Sequence, residues 1–163
     1  MADSDSFYEE VVSPSVRDFE AERHSLRYAY YAVWALDSFA SHLFYDFKTA
    51  LNLKSRDDSD FKRSYLAKKS EDFQLVLDAS IAAKHALITR AQGKRTILAS
   101  SDVASVKLEG WSSYYAGPDG DDRGEQIVVH NDKHFCRPLL PTTLRAESFL
   151  VGELANMLVR AKR

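Results

Sequence analysis

Apolar residues recur at intervals of three and four along several stretches of the chain, and that spacing predicts amphipathic helices. The first helix has a clear start at Ser13-Pro14, with Ser as cap and Pro in the first turn. It is expected over residues 14–51, with Phe19, Leu26, Tyr30, Val33, Ala40, Phe44 and Leu51 along one face. Residues 52–60 are polar and read as a loop, and residues 61–69 as a second helical stretch. Ser70-Glu71-Asp72 caps a third helix running to about Arg90, with Phe73, Leu77, Ile81 and Ile88 on one side. Gly93 ends that region. Residues 96–99 and 103–108 then turn β-branched and partly alternating, and residues 110–125 are a loop rich in Gly, Asp and Ser. Residues 126–137 read as a hairpin with Asn131-Asp132 at its turn. A last helix opens at Pro141-Thr142-Thr143 and reaches about Lys162, with Leu144, Val151, Leu154 and Leu158 on one face. The expected fold is mainly α, a helical bundle with a small antiparallel β-hairpin element before the C-terminal helix. Residues 1–12 are expected as a loose or lightly docked tail. Residues 13–163 form a single domain, with the β element at about 96–137.

The first helix carries aromatics on most of its sides: Tyr28, Tyr30, Tyr31, Trp34, Phe39, Phe44, Tyr45 and Phe47. A helix apolar on several sides is buried on several sides. Either it runs through the bundle centre or its second face meets another copy of the chain. Isologous pairs are the commonest oligomers, so a homodimer through this helix is expected.

Composition narrows the class. Hydrophobic residues make up 45% and charged residues 28%, a globular balance. The net charge of −2 gives no overall electrostatic case for nucleic acid or anionic lipid, so any such case rests on a local patch. The single cysteine, Cys136, allows no internal disulfide and fits a reducing compartment. The N-terminus is acidic and polar, unlike a secretory leader. No run approaches about 18 uncharged apolar residues, so no membrane span is expected. These features together lead to the expectation of a cytoplasmic protein.

Two charges interrupt the apolar faces. Asp37 lies within roughly 20° of Leu26 and Phe44 on the first helix, and Lys84 lies among Phe73, Leu77, Ile81 and Ile88 on the third. A buried unpaired charge is very costly, so Asp37 and Lys84 are expected to pair if buried. The bland readings are a plain interhelix salt bridge or a Lys84 that snorkels out along its stem; the functional one is a polar site with shifted pKa values.

Asp78 and His85 are seven residues apart, within about 20° on the third helix. With Lys84 directly before His85 and Arg90 beyond it, the segment resembles an "Asp, six residues, His" helix found in a group of uncharacterised bacterial and phage proteins. That group pairs a long N-terminal helix, rich in Ala, aromatics and Asp, with a Lys-His helix, a Gly-rich β segment and a C-terminal helix. The order matches over about residues 14–160. Members often have Asn three residues after the Asp, where this chain has Ile81. More distantly the group is similar to the HEPN superfamily of helical domains, which includes RNases and non-catalytic nucleotide-binding relatives. Their Arg-to-His spacing is met formally by Arg17 and His24. The resemblance implies either a non-catalytic interaction module or a metal-independent RNase of toxin or phage-defence type. In an RNase, His85 would act as general base on a ribose 2′-hydroxyl, and Lys84 or Arg90 would hold the phosphate, with Asp78 in the same constellation. The plain alternative has His85 capping carbonyls at the helix end.

Between Ala79 and Ser101 there is no acidic residue, while Lys84, Arg90, Lys94 and Arg95 are basic and His85 adds a fifth potential cation. Such a window suits phosphate or an acidic partner. It lacks clustered aromatics, so base stacking is not indicated. It also suits a solvated helix end. No metal site or cofactor is expected. A two-residue turn at Asn131-Asp132 puts His130 and His134 on opposite faces. Asp119, Asp121, Asp122 and Glu125 lack EF-hand spacing. No nucleophile motif surrounds Cys136. The leading expectation is an interaction module with an RNA or protein partner. The alternatives are the RNase and a structural dimeric protein.

Overall fold

The long first helix is broken at Ser25. In the computed structural model, which describes residues 3–84, 100–107, 125–129 and 137–162, the span holds two helices, α2 (Ser13–Ala21) and α3 (Leu26–Phe47). Ser25 accepts the Tyr28 amide on its hydroxyl at 3.4 Å, and its own amide donates to the Glu22 carbonyl at 2.8 Å. A Ser here satisfies one of the free amides at a helix start. The apolar spacing runs through the break because both helices face one core, so periodicity alone misses the turn. Leu26, expected on the apolar face, is instead 39% exposed at the start of α3.

The segment expected as a tail is helical. Helix α1 (Ser4–Phe7) passes through a π-helical turn (Tyr8–Val12) into α2. Asp3 caps it by accepting the Ser6 amide at 2.8 Å. The Ser4 amide donates to the Asp46 carboxylate at 2.6 Å, the Phe7 ring stacks on His42 at 4.1 Å, and Val12 is fully buried. These contacts lay residues 4–12 along α3. The apolar residues Phe7, Tyr8 and Val12 give the segment a face to bury.

Helix α3 is the centre of the bundle and packs on α2, on α6 (Glu71–Lys84) and on α7 (Leu139–Ala161). Its buried residues, among them Ala29, Val33, Leu36, Phe39, Ala40, Leu43 and Phe44, leave few open sides. The aromatic helix is therefore buried on several sides by its own chain. Tyr31 and Tyr45 remain 47% and 56% exposed. Asn52 takes a left-handed conformation (φ 48°) after α3, which lets the Leu53 amide return to the Lys48 carbonyl at 3.0 Å.

The stretch after the first loop contains α4 (Asp58–Phe61), a π-helical turn (Lys62–Leu66) and α5 (Ala67–Lys69). Helix α6 (Glu71–Lys84) follows, capped by Ser70, whose hydroxyl accepts the Phe73 amide at 3.1 Å. A short 3₁₀ turn (Ser100–Asp102) leads into a three-stranded antiparallel sheet in the order β1 (Val103–Lys107), β2 (Glu125–Val129), β3 (Arg137–Pro138). The last helix, α7, spans Leu139–Ala161 and starts at Leu139 rather than Pro141. The fold is mainly α with a small antiparallel sheet before the C-terminal helix, as expected.

Strand register corrects one detail. Val129 pairs with Arg137, not with His134 as a two-residue turn at Asn131-Asp132 requires. A turn dipeptide sets register only when the loop is as short as assumed. Residues 130–136 themselves lie outside the described residues. Among the described residues, no helix is long and apolar enough to cross a membrane.

Candidate functional site: the Asp37 cluster

Asp37 is the centre of a polar cluster joining three parts of the bundle. It sits on α3 with its side chain 6% exposed. Its Oδ1 accepts Lys62 Nζ at 2.7 Å, and its Oδ2 accepts Ser80 Oγ at 2.7 Å and Lys84 Nζ at 3.1 Å. Lys62 comes from the π-helical turn after α4, and Ser80 and Lys84 from α6. Lys62 also donates to Ser41 Oγ at 3.1 Å and lies 3.3 Å from Asp58 Oδ2. Ser41 in turn donates to Asp58 Oδ2 at 2.7 Å.

The local sequence explains the convergence. Asp37 and Ser41 are one helical turn apart on α3, and so are Ser80 and Lys84 on α6. Each helix therefore offers a pair of polar groups on one face, and the faces meet where α3 packs on α6. Asp57 caps α4 by accepting the Asp60 amide at 2.8 Å, which fixes the turn that supplies Asp58 and Lys62.

The cluster is electrically balanced, with Asp37 and Asp58 against Lys62 and Lys84. Burial alone would push the Asp37 carboxyl up. The Lys62 charge and hydrogen bond, the Ser80 hydroxyl and the Lys84 charge outweigh burial and hold it below the usual carboxylate range. Asp58 shows the same balance: burial raises it, and the Ser41 hydroxyl and Lys62 lower it further than that. Asp37 is thus a stable carboxylate with both oxygens engaged. Such a group is a poor proton acceptor and a good anchor.

The expected pairing of Asp37 with Lys84 is present, but Lys84 is not buried. Its side chain is 52% exposed, whereas Lys62, the closer partner, is 12% exposed. Lys62, Ser41, Ser80 and Asp58 do not stand out as site residues in the sequence. The two polar pairs one turn apart were the available signal, and Lys62 had none, because no helix face was assigned to its short segment.

The other candidates that fall among the described residues are Asp78, Arg17 and His24. Asp78 is 2% exposed on α6 and accepts Gln74 Nε2 at 3.0 Å. Arg17 is exposed on α2 and bonds Ser13, its Nη2 3.1 Å from Ser13 Oγ. His24 lies in the turn after α2, so the helix end separates it from Arg17. His85, Arg90, Lys94 and Arg95 lie outside the described residues, as do His130, His134, Cys136, Asp119, Asp121 and Asp122. Among the described residues, no group of three or more His, Cys, Asp or Glu side chains is placed to hold a metal ion. The chain matches no family model, no curated protein and no solved structure.

Proposed function

We propose that the protein is a non-catalytic, HEPN-like interaction module that holds RNA by its backbone phosphates, using the basic stretch that begins at Lys84. The observation that carries this reading is the placement of Lys84. Helix α6 is anchored through Asp37, and it delivers Lys84 half-exposed at the start of a sequence window free of acids. Phosphate contact of this kind needs cations near the surface and no base-specific pocket. The cluster's carboxylates serve to anchor Lys84, while the RNase reading assigns the proton transfer to His85, outside the described residues. Asp37 and Asp58 are held ionised by their lysine and serine partners, so neither suits general acid–base work near neutral pH.

The test is a labelled single-stranded RNA titrated with the full chain over a salt series, with RNA length followed in EDTA. Binding that weakens steeply with salt while the RNA stays intact supports the module. Metal-independent cleavage that vanishes in His85→Ala would instead establish the RNase, with Lys84 or Arg90 on the phosphate. No binding would move the search to an acidic protein partner or to a structural role. The homodimer belongs to that structural reading. Tyr31 and Tyr45, exposed on α3, are the aromatic residues open to a second copy, and a light-scattering mass of one chain would end that reading.

A further inference from the structure

The two lysines on Asp37 differ in exposure and in their distance from it. Lys62 is 12% exposed, lies 2.7 Å from Asp37, and has three acceptors around its ammonium: Asp37, Ser41 and Asp58. A lysine ammonium has three N–H donors, and Lys62 spends two on hydrogen bonds to Asp37 and Ser41 with the Asp58 carboxylate beside them. Lys84 is 52% exposed, lies 3.1 Å from Asp37, and has that one acceptor among the described residues. More than half of its side chain is open to solvent. We propose that Lys62 is the permanent counter-ion of Asp37 and Lys84 an exchangeable one, whose ammonium leaves Asp37 for a phosphate oxygen when RNA binds.

This rests on the reading above and names the group that makes its first contact. The exchange is feasible because the carboxylate stays compensated. Without Lys84, Asp37 keeps Lys62 on Oδ1 and the Ser80 hydroxyl on Oδ2. The Lys84 end of the pair is half-exposed and water readily takes its place, so releasing it costs little. A phosphate oxygen offers the ammonium a charge-assisted bond and releases counterions from the RNA. Lys62 lacks this freedom, because among the described residues it is the one cation on Asp58 and the more buried of the two on Asp37. In the free protein Asp37 holds the Lys84 side chain in place, so the cation is already positioned when ligand arrives.

The experiment compares Lys84→Gln, Lys84→Arg and Lys62→Gln in the full chain, measuring the urea midpoint and the affinity for a labelled single-stranded RNA from low to high salt. Lys84→Gln is expected to keep a near-wild-type midpoint and to bind several-fold more weakly. Its plot of log K against log salt should be shallower by about 0.7, the loss of one phosphate contact on a single strand. Lys84→Arg restores the affinity. Lys62→Gln lowers the midpoint well below that of Lys84→Gln. A Lys84→Gln variant as destabilised as Lys62→Gln would make Lys84 a structural counter-ion and overturn the proposal. So would unchanged affinity and salt slope in Lys84→Gln. A variant with Arg90, Lys94 and Arg95 all changed to Gln separates the two readings. Loss of binding there, with Lys84→Gln unaffected, removes Lys84 but keeps the RNA-binding module. If wild-type protein binds no RNA, both fail.

Discussion

Two aspartates in this bundle each hold two cations, and they sit in different surroundings. Asp37 lies between α3 and α6 with its side chain 6% exposed and binds Lys62 and Lys84. Asp72 lies in the first turn of α6 with its side chain 20% exposed. It accepts Arg137 Nη2 from β3 at 2.6 Å, and Arg145 Nε and Nη2 from α7 at 2.9 and 3.0 Å. Asp72 has the better geometry, including a bidentate arginine and a favourable place at a helix N-terminus. Asp37 has the larger hold on the fold, because burial makes a missing partner expensive whereas water readily replaces one at the surface. Bond count and bond length do not separate the two sites, since Asp37 accepts three bonds at 2.7, 2.7 and 3.1 Å and Asp72 three at 2.6, 2.9 and 3.0 Å; burial does.

The sharpest break of that comparison removes the carboxylates. Asp37→Ala leaves Lys62 charged and almost buried, and should destabilise the fold by about 3–5 kcal/mol, read from urea unfolding. Should Asp37→Ala cost no more than a surface pair, the cluster would be solvated in solution and the contrast with Asp72 would disappear. Asp72→Ala should cost about 1 kcal/mol, since both arginines can turn to water. Acid separates the two less sharply. Both carboxyls stand below their ordinary value: burial opposes this in each, and Lys62, Ser80 and Lys84 at Asp37, or Arg145 and Arg137 at Asp72, overcome it. A depressed folded pKa gives stability that is fully present above the unfolded value, near 4, and is lost as pH falls through the folded one. Asp37→Asn and Asp72→Asn should therefore each flatten the fall in stability below about pH 4, measured by urea midpoints at stepped pH.

The contrast also marks what the sequence made legible. Asp37 and Lys84 stood out because each is a charge inside an apolar helix stripe, and helix geometry can be read from spacing alone. Ser41 and Ser80 were legible in principle, as polar groups one turn from those charges, but a serine in a helix is too common to draw notice. Lys62 was hidden because its partner is set by how a short π-helical turn folds back on α3, which is a tertiary fact. Asp72 was read only as part of a cap, and its arginines come from distant segments brought together by the sheet. The break at Ser25 escaped for a related reason. Apolar spacing reports which residues face the core and is blind to a reversal when both arms face the same core. The docking of residues 4–12 depends on Asp46 and His42, more than thirty residues away, which a local reading of an acidic N-terminus does not reach.

A third carboxyl carries the comparison to its opposite sign. Glu147 on α7 accepts the Tyr8 hydroxyl at 3.2 Å, a bond that ties the N-terminal π turn to the last helix. Burial pushes its carboxyl above the ordinary range, with the Glu20 charge adding to the rise. The Tyr8 hydroxyl and the Arg17 charge offset only part of it. An acid raised on folding behaves in reverse to Asp37. The folded state prefers the protonated form, so the contact is most favourable at low pH. Stability is then lost as pH rises from the unfolded value near 4.3 through the folded one. At neutral pH the charged carboxylate is held against its preference. Glu147→Gln removes that charge and keeps an oxygen for Tyr8, so it should stabilise the fold slightly at pH 7, by about 0.5 kcal/mol or less. The gain should vanish near pH 4, where wild-type Glu147 is itself protonated. Urea midpoints at the two pH values decide the matter. A Gln variant that is destabilised at pH 7 would mean that the charge strengthens the Tyr8 bond by more than burial weakens it. Glu147 would then belong with Asp72, as a carboxylate whose partners outweigh its surroundings.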